Sequence, residues 1–168
     1  MKKIILTLAV ASFIWSCKPG ATSSKKDEVN VAIDLVNVKD DKVMVSIDAP
    51  TFTSESTTFF IPKTVPGTYS EDDYGRFIED FKALDASGNG LRVTKLDKNS
   101  YKFEEAKKLA KVTYLGNDSF DTEGGGGFGQ SEDVFSPAGT NIKAGENFML
   151  NTHGFVGYFE GKTETPYT

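Results

Sequence analysis

Side chains that can support catalysis are scarce in this sequence. His153 is its only histidine and Cys17 its only cysteine. A zinc peptidase site of the His-Glu-x-x-His type needs two histidines one helical turn apart, which this chain does not supply. A serine or cysteine triad would need His153 as its base, but no nucleophile-elbow sequence surrounds Asn151–Gly154. The sequence therefore predicts no catalytic residue, no metal ligand and no cofactor in this chain, with His153 in a turn or on the surface.

A glycine-rich segment, Gly124–Gly127 followed by Phe128-Gly129, looks at first like a phosphate-binding loop. It lacks the Lys-Ser/Thr pair that completes such loops, and no helical pattern follows it. The surrounding acidic residues are Asp118, Asp121, Glu123, Glu132 and Asp133. Their charges would repel a phosphate, and their spacing differs from that of the twelve-residue calcium loop. We therefore predict a flexible loop between strands.

The first residues have the composition of an export signal. Lys2 and Lys3 precede an almost wholly apolar run over residues 4–15, shorter than the about 20 residues that a membrane-spanning helix needs. Ser16-Cys17 follows, and this arrangement resembles the lipobox of bacterial lipoproteins, in which the cysteine is lipidated and becomes the first mature residue. The alternative is an uncleaved N-terminal anchor with a chance cysteine.

This interpretation divides the chain into three segments. Residues 1–16 form a signal peptide, and residues 17–28 form a lipidated flexible tether, because Lys18–Glu28 has no large apolar side chain to bury. Residues 29–168 form one β domain, since the mature chain has room for a single core. We expect a lipoprotein of the cell envelope, exported and membrane-anchored through Cys17, either periplasmic or at the cell surface.

The charge of the chain argues against one class of partner. The formal net charge is −5, and it becomes −7 when Lys2 and Lys3 leave with the signal peptide. A protein that binds nucleic acid is expected to carry a basic surface. The sequence therefore predicts no nucleic-acid partner.

Alternation of apolar and polar side chains dominates the rest of the chain. Two such runs, 29–36 and 43–48, flank the charged Lys39–Lys42 and predict a β-hairpin with one buried face. The further short strands are predicted over residues 57–61, 74–83, 91–96, 100–103, 111–115, 148–151 and 155–159. A turn is predicted at Ser87–Gly90, and only Glu104–Ala110 has a helical composition. The fold class is therefore mostly β, as an antiparallel β-sandwich or a curved open sheet.

The segment Ile61–Tyr69 contains two prolines and a glycine, which predict a rigid bend with Tyr69 and Tyr74 beside it. Two interpretations remain open. The bend is either a stiff connection between strands with packing tyrosines, or a loop that contacts a ligand.

This segment resembles the Leu-Pro-x-Trp-x-Pro-Gly-Ser-Tyr motif in the N-terminal domain of the glycyl aminopeptidases, the PDZ-containing zinc metallopeptidases of family sixty-one. Asp73–Arg76 is similar to the acidic-aromatic-small-Arg stretch that continues that motif. The further matches, in the family's order, are Ala83–Gly88, Lys111–Tyr114, Phe135–Asn141 and Asn151–Gly161. The resemblance covers nearly all of the mature chain.

The resemblance implies a non-catalytic N-terminal β domain of a zinc aminopeptidase-like protein, and the lipobox-like Ser16-Cys17 makes that protein a membrane-anchored lipoprotein. Such a domain serves as scaffold and cleft wall for a catalytic peptidase domain, which is the expected partner. The zinc ligands and general base of the family match no residue of this chain, so zinc would belong to that catalytic domain. The alternative is a free-standing cell-envelope lipoprotein that binds a peptide or glycan through the sheet or the tyrosine-rich bend.

The candidates for ligand or interdomain contact are Tyr69, Tyr74, Arg76, Phe155, Tyr158 and Phe159. Apolar residues fall on both faces of the stretch 148–159, and strands with two apolar faces are normally covered on both sides. If a catalytic domain provides one cover, we expect at least two of Phe155, Tyr158 and Phe159 to be exposed, or covered only by the C-terminal tail.

Overall fold

The structure, a computed structural model, describes residues 28–119 and 138–168. The predicted signal peptide, Cys17, the tether up to residue 27 and the glycine-rich segment lie outside these residues. The strands are β1 (Val31–Lys39), β2 (Lys42–Asp48), β3 (Thr57–Phe60), β4 (Ile78–Asp85), β5 (Gly90–Leu91), β6 (Val93–Lys95), β7 (Ser100–Phe103), β8 (Leu109–Asn117), β9 (Asn141–Lys143), β10 (Asn147–Met149) and β11 (Tyr158–Phe159). The helices are α1 (Thr152–Phe155) and two 3-10 turns, Tyr74–Phe77 and Ala106–Lys108. The predicted mostly β fold is confirmed.

The predicted hairpin is present as β1 and β2, with Val31 opposite Ile47 and Ile33 opposite Val45. Asp40 and Asp41 form its turn, and both have positive φ angles, 51° and 52°. This is the backbone of a type I′ turn, whose twist matches that of the flanking strands, and aspartate tolerates it better than most residues.

The strands form two antiparallel sheets that pack face to face, with a short β9–β10 hairpin beside them. The first sheet has the order β1-β2-β8-β4-β5, and the second has the order β11-β3-β7-β6. The chain crosses from the first sheet to the second between β2 and β3, and again between β5 and β6, where Arg92 alone connects the two strands. Of the two architectures predicted from the sequence, a β-sandwich and a curved open sheet, the structure is therefore the β-sandwich.

Aromatic rings from both sheets fill the space between them. The ring of Phe59, on β3, lies 5.6 Å from that of Phe81 on β4 and 6.2 Å from that of Tyr114 on β8. Phe81 also stacks on Tyr101 of β7, with ring centroids 3.8 Å apart. Phe59, Tyr114 and Tyr101 are buried, so these contacts form the centre of the core.

Four predicted elements differ from the structure. The strand predicted over residues 91–96 is divided, because Leu91 belongs to β5 of the first sheet and Val93–Lys95 forms β6 of the second. Residues 74–83 are not one strand, because Tyr74–Phe77 forms a 3-10 turn and the strand begins at Ile78. Only Ala106–Lys108 of the expected helix 104–110 is helical, and Leu109 already starts β8. Phe155 ends α1 and does not begin a strand. In α1 the Asn151 side chain accepts a hydrogen bond from the His153 main-chain N–H and caps the helix.

The expected exposure of the 155–159 aromatics is wrong. Phe155 is 4% exposed and Phe159 is 0% exposed, while Tyr158 is half-buried. Phe155 packs on Gly116 of β8, where an added Cβ would overlap its ring, and Phe159 packs on Phe52 and Phe59. The stretch 148–159 has apolar residues on both faces because Phe155 in α1 and Phe159 in β11 enter the core at different places.

The C-terminal tail joins the first sheet. Tyr167 pairs with Val29 in a parallel bridge at the edge of β1. Within the described residues, no helix has the length and apolar character that a membrane crossing requires.

Candidate functional site

The bend between β3 and β4 has a backbone that its sequence specifies closely. The Thr68 N–H and hydroxyl both donate to the Val65 carbonyl, at 3.2 and 2.8 Å. Pro66 occupies the second position of this turn, and Gly67, with φ of 91°, occupies the third. This combination is a type II turn, in which proline presets the first corner and glycine accepts the positive φ of the second.

Main-chain hydrogen bonds close the bend at its base. The N–H groups of Asp72 and Asp73 both donate to the Lys63 carbonyl, at 2.8 and 3.0 Å. At the tip, Tyr69 has φ of 57° and is fully exposed. A left-handed backbone at a bulky residue is strained and persists only where the surrounding structure holds it. The bend therefore presents the Tyr69 ring to solvent from a fixed support.

Asn99 is the clamp that attaches the bend to the second sheet. Its main-chain carbonyl accepts a hydrogen bond from the Ile61 N–H at 2.8 Å, and its side-chain oxygen accepts one from the Gly75 N–H at 2.8 Å. Its side-chain amide donates to Asp73 at 2.7 Å. This last bond and the nearby Lys98 ammonium lower the pKa of the Asp73 carboxyl. Asn99 is buried, and this one residue ties together both ends of the bend, with its main chain bound to Ile61 and its side chain bound to Asp73 and Gly75.

Tyr74 is a packing residue, as the first of the two interpretations expected. Its ring is buried against Gly154 of α1. Its hydroxyl lies 3.1 Å from the Asp72 carboxylate and 3.2 Å from the Ala138 carbonyl. Burial and the Asp72 charge raise the pKa of the Tyr74 phenol well above its ordinary value. The phenol therefore stays neutral and serves as a hydrogen-bond donor.

A groove of about 1140 Å³ opens beside the first half of the bend. Its walls come from the edge of β1, the end of β3, the segment after α1 and the C-terminal tail. The main apolar residues along it are Val31, Ile33, Phe60, Val156, Tyr158 and Tyr167. Pro62, Lys63 and Thr64 of the bend form its rim, together with His153. Inside the groove the Phe60 and Tyr158 rings lie 5.5 Å apart.

The structure separates the six predicted contact residues. Tyr158 lines the groove, and Tyr69 and Arg76 are exposed on the bend. The Arg76 guanidinium lies 4.6 Å from the centre of the Phe77 ring. Tyr74, Phe155 and Phe159 are buried in packing, so they are not surface contacts of the domain as it stands.

Sequence reasoning missed two parts of the site. Asn99 follows a charged turn, and nothing in its neighbourhood marks it as the clamp of a bend more than twenty positions earlier. The tail residues Tyr167 and Thr168 complete the groove only because they pair with β1. No cluster of three or more potential metal-ligating side chains occurs within 28–119 and 138–168.

The two-sheet sandwich is similar to part of a solved structure. A solved structure of an aminopeptidase N family protein from Idiomarina loihiensis matches with a TM-score of 0.65 and 18% sequence identity. The match covers 83% of this chain and 21% of that one. At this identity the likeness establishes the fold, and the chain spans about a fifth of that protein's length. No match was found among curated proteins.

The family model of the peptidase M61 N-terminal domain matches residues 30–168. The chain therefore belongs to the peptidase M61 family through that N-terminal domain. The resemblance predicted from the bend motif and the segments that follow it is confirmed.

Proposed function

We propose that this chain is the non-catalytic N-terminal β domain of a membrane-anchored zinc aminopeptidase-like lipoprotein, and that it serves as scaffold and cleft wall for a catalytic domain. The match of residues 30–168 to an N-terminal domain of a peptidase family carries this proposal. Zinc and the catalytic groups would belong to the catalytic domain. In this role the domain supplies fixed surface rather than chemistry.

The bend supports the proposed role. Exposed aromatic residues contribute strongly to protein contacts when their position is fixed before binding, because little conformational freedom is then lost. Tyr69 meets this condition, since its supporting loop is closed at Lys63 and clamped by Asn99. We infer that Tyr69 and the exposed Arg76 face the catalytic domain or its cleft.

The coding sequence directly downstream of Thr168 tests the proposal. A reading frame that encodes His-Glu-x-x-His is the expected result. A stop codon followed by an unrelated gene, with no peptidase gene nearby, would contradict the proposal. It would favour instead a free-standing cell-envelope lipoprotein that binds a peptide or glycan.

The groove is the observation that favours this second candidate. Its largely apolar walls, with an aromatic pair at Phe60 and Tyr158, are of the kind that hold peptide side chains or stack on sugar rings. Titration of the chain with short apolar peptides and with oligosaccharides, followed by tyrosine fluorescence, would separate the two ligand classes.

We predict that the purified chain hydrolyses no aminoacyl reporter substrate, with or without added zinc. One histidine cannot supply the ligand pair of a zinc peptidase helix. The measurement is release of the reporter over background, with an authentic zinc aminopeptidase as the positive control. Turnover by the pure chain that a chelator abolishes would contradict the prediction.

We predict that Cys17→Ser abolishes acyl labelling of the protein in cells. The variant should accumulate as unprocessed precursor or leave the membrane fraction, because the thiol that receives the lipid is gone. Metabolic labelling with a fatty-acid analogue measures this, and Ser24→Ala in the tether is the matched control that retains the label. Equal labelling of Cys17→Ser and the control would show that the lipid is attached elsewhere.

A further inference from the structure

The edge of β1 is paired along only part of its length. The Val29 N–H donates to the Pro166 carbonyl, and the Thr168 N–H donates to the Val29 carbonyl. The Val31 N–H then donates to the Thr168 carbonyl at 2.7 Å. These bonds form a parallel ladder between β1 and the C-terminal tail, and the ladder stops where the tail stops.

The main-chain groups of successive residues in a strand point alternately to opposite sides, and this alternation shows which groups of β1 face the edge beyond the end of the tail. The main-chain groups of Val29 and Val31 point toward the tail. The main-chain groups of Asn30 point toward β2, because its carbonyl accepts a hydrogen bond from the Asp48 N–H. The next residue that faces the edge is therefore Ile33. The Val31 carbonyl and both main-chain groups of Ile33 open onto the groove, which both residues line.

We propose that this open edge is the joint between the domain and the catalytic part of an M61 peptidase, whose first residues extend the tail strand in parallel with β1 along the groove. The inference rests on the proposed function, in which a catalytic domain follows this one. The matched peptidase structure is about five times as long as the region that corresponds to this chain. The tail residues already seated on the edge supply the direction and the register.

The register assigns a role to each added residue. With Tyr167 opposite Val29, the third residue after Thr168 lies opposite Ile33. The second added residue then donates its N–H to the Val31 carbonyl and accepts from the Ile33 N–H. Side chains of paired residues share a face, so the first and third added side chains point with Val31 and Ile33 toward the apolar wall. Residues of apolar type are expected at these two positions.

Main-chain pairing along an apolar wall favours a polypeptide strand as the occupant. The charged side chains along the groove are few, and they carry both signs: Lys63 at the rim and Asp97. Such a lining offers no concentrated charge for an ionic ligand, whereas free main-chain donors and acceptors beside apolar side chains are what an added strand requires.

The test appends Val-Thr-Val-Thr to Thr168 and follows amide hydrogen exchange of Ile33 by NMR. We expect the Ile33 amide to exchange about tenfold more slowly in the extended chain than in the 168-residue chain, because it gains a carbonyl acceptor. The Val112 amide, in the central strand β8, reports that the fold is unchanged.

Proline placement provides the matched controls. Proline as the second added residue removes the N–H that donates to Val31 and should abolish the protection of Ile33. Proline as the third added residue removes an N–H that faces away from β1, as edge strands tolerate, and should preserve most of the protection.

An Ile33 amide that exchanges equally fast with and without the extension would overturn the proposal. Protection in the 168-residue chain that increases with protein concentration would also overturn it, because a second copy would then occupy the edge. Neither result depends on the gene downstream of Thr168. The exchange experiment and the search for a downstream His-Glu-x-x-His motif can therefore fail independently.

Discussion

Replacement of Phe59 by alanine is expected to lower the free energy of unfolding by about 4 kcal/mol, the largest loss that we expect from a single core truncation here. Phe59 is fully buried, and its ring contacts those of Phe81, Tyr114 and Phe159, which come from three different strands. Truncation removes the contacts of all three rings at once. The rings cannot all move into the space, because both sheets hold their backbones apart.

Gly157 makes the cavity harder to fill. Its main chain passes so close to the Phe59 ring that an added Cβ would overlap the ring. A glycine at this position has no side chain to move into the vacated volume, so a residual cavity should remain, and the cost of truncation rises with that cavity. Urea denaturation measures the loss, and the melting temperature should fall by roughly 12 °C.

Phe60→Ala is the matched control, because the neighbouring side chain points to the opposite face of β3 and lies half-buried in the groove. Its truncation removes the contact with Tyr158 but opens no enclosed cavity, so a loss of about 1 kcal/mol is expected. Equal losses for Phe59→Ala and Phe60→Ala would contradict the placement of the aromatic cluster at the centre of the core.

Local patterns predicted the parts of this fold that depend on local geometry. The β1–β2 hairpin follows from two alternating runs and from two aspartates that accept positive φ between them. The bend likewise follows from Pro66 and Gly67, whose preferred φ angles are those of the turn. In each case the residues that specify the structure are neighbours in sequence.

The parts that sequence reasoning missed depend on contacts between distant residues. The bridge from Tyr167 to Val29 joins the two ends of the domain, and three tail residues are too few to show an alternating pattern. The burial of Phe155 depends on Gly116, a small residue in β8 that leaves room for its ring. An apolar stretch shows that side chains will be covered, but it does not show which element covers them.

The same limit applies to the candidate site. The prolines and the tyrosines marked the bend, yet the residue that holds it, Asn99, lies in another loop. The position of the bend was therefore predictable from the sequence, whereas the contact with Asn99 that holds it was not. A substitution that disrupts the contact between Gly75 and Asn99 should therefore have the second large effect on stability.

Gly75→Ala is expected to cost about 3 kcal/mol of stability and to loosen the bend. An added Cβ at Gly75 would overlap the main-chain carbonyl oxygen of Lys98 and lie 2.8 Å from the Asn99 Cα. The obstacles are backbone atoms, which cannot rotate away as the end of a side chain can. The 3-10 turn must therefore separate from Asn99, and the hydrogen bond from the Gly75 N–H to the Asn99 side chain is then lost.

Two measurements separate this effect from a general loss of stability. Urea denaturation gives the change in the free energy of unfolding, and limited chymotrypsin digestion under native conditions reports the bend itself. Tyr69 is exposed but held in a closed loop, so cleavage after it should be slow in the native chain and at least several-fold faster in Gly75→Ala. Faster cleavage confined to Tyr69 would show that the clamp, and not the whole sandwich, has opened.

Gly90→Ala is the matched control for this substitution. An added Cβ at Gly90 meets no atom within 4 Å, so its stability should stay within about 0.5 kcal/mol of the native value and cleavage after Tyr69 should not change. If Gly75→Ala behaves like Gly90→Ala in both measurements, the bend does not depend on its contact with Asn99. The support of the Tyr69 ring would then come from the hydrogen bonds that close the loop at Lys63 and not from the clamp at Asn99.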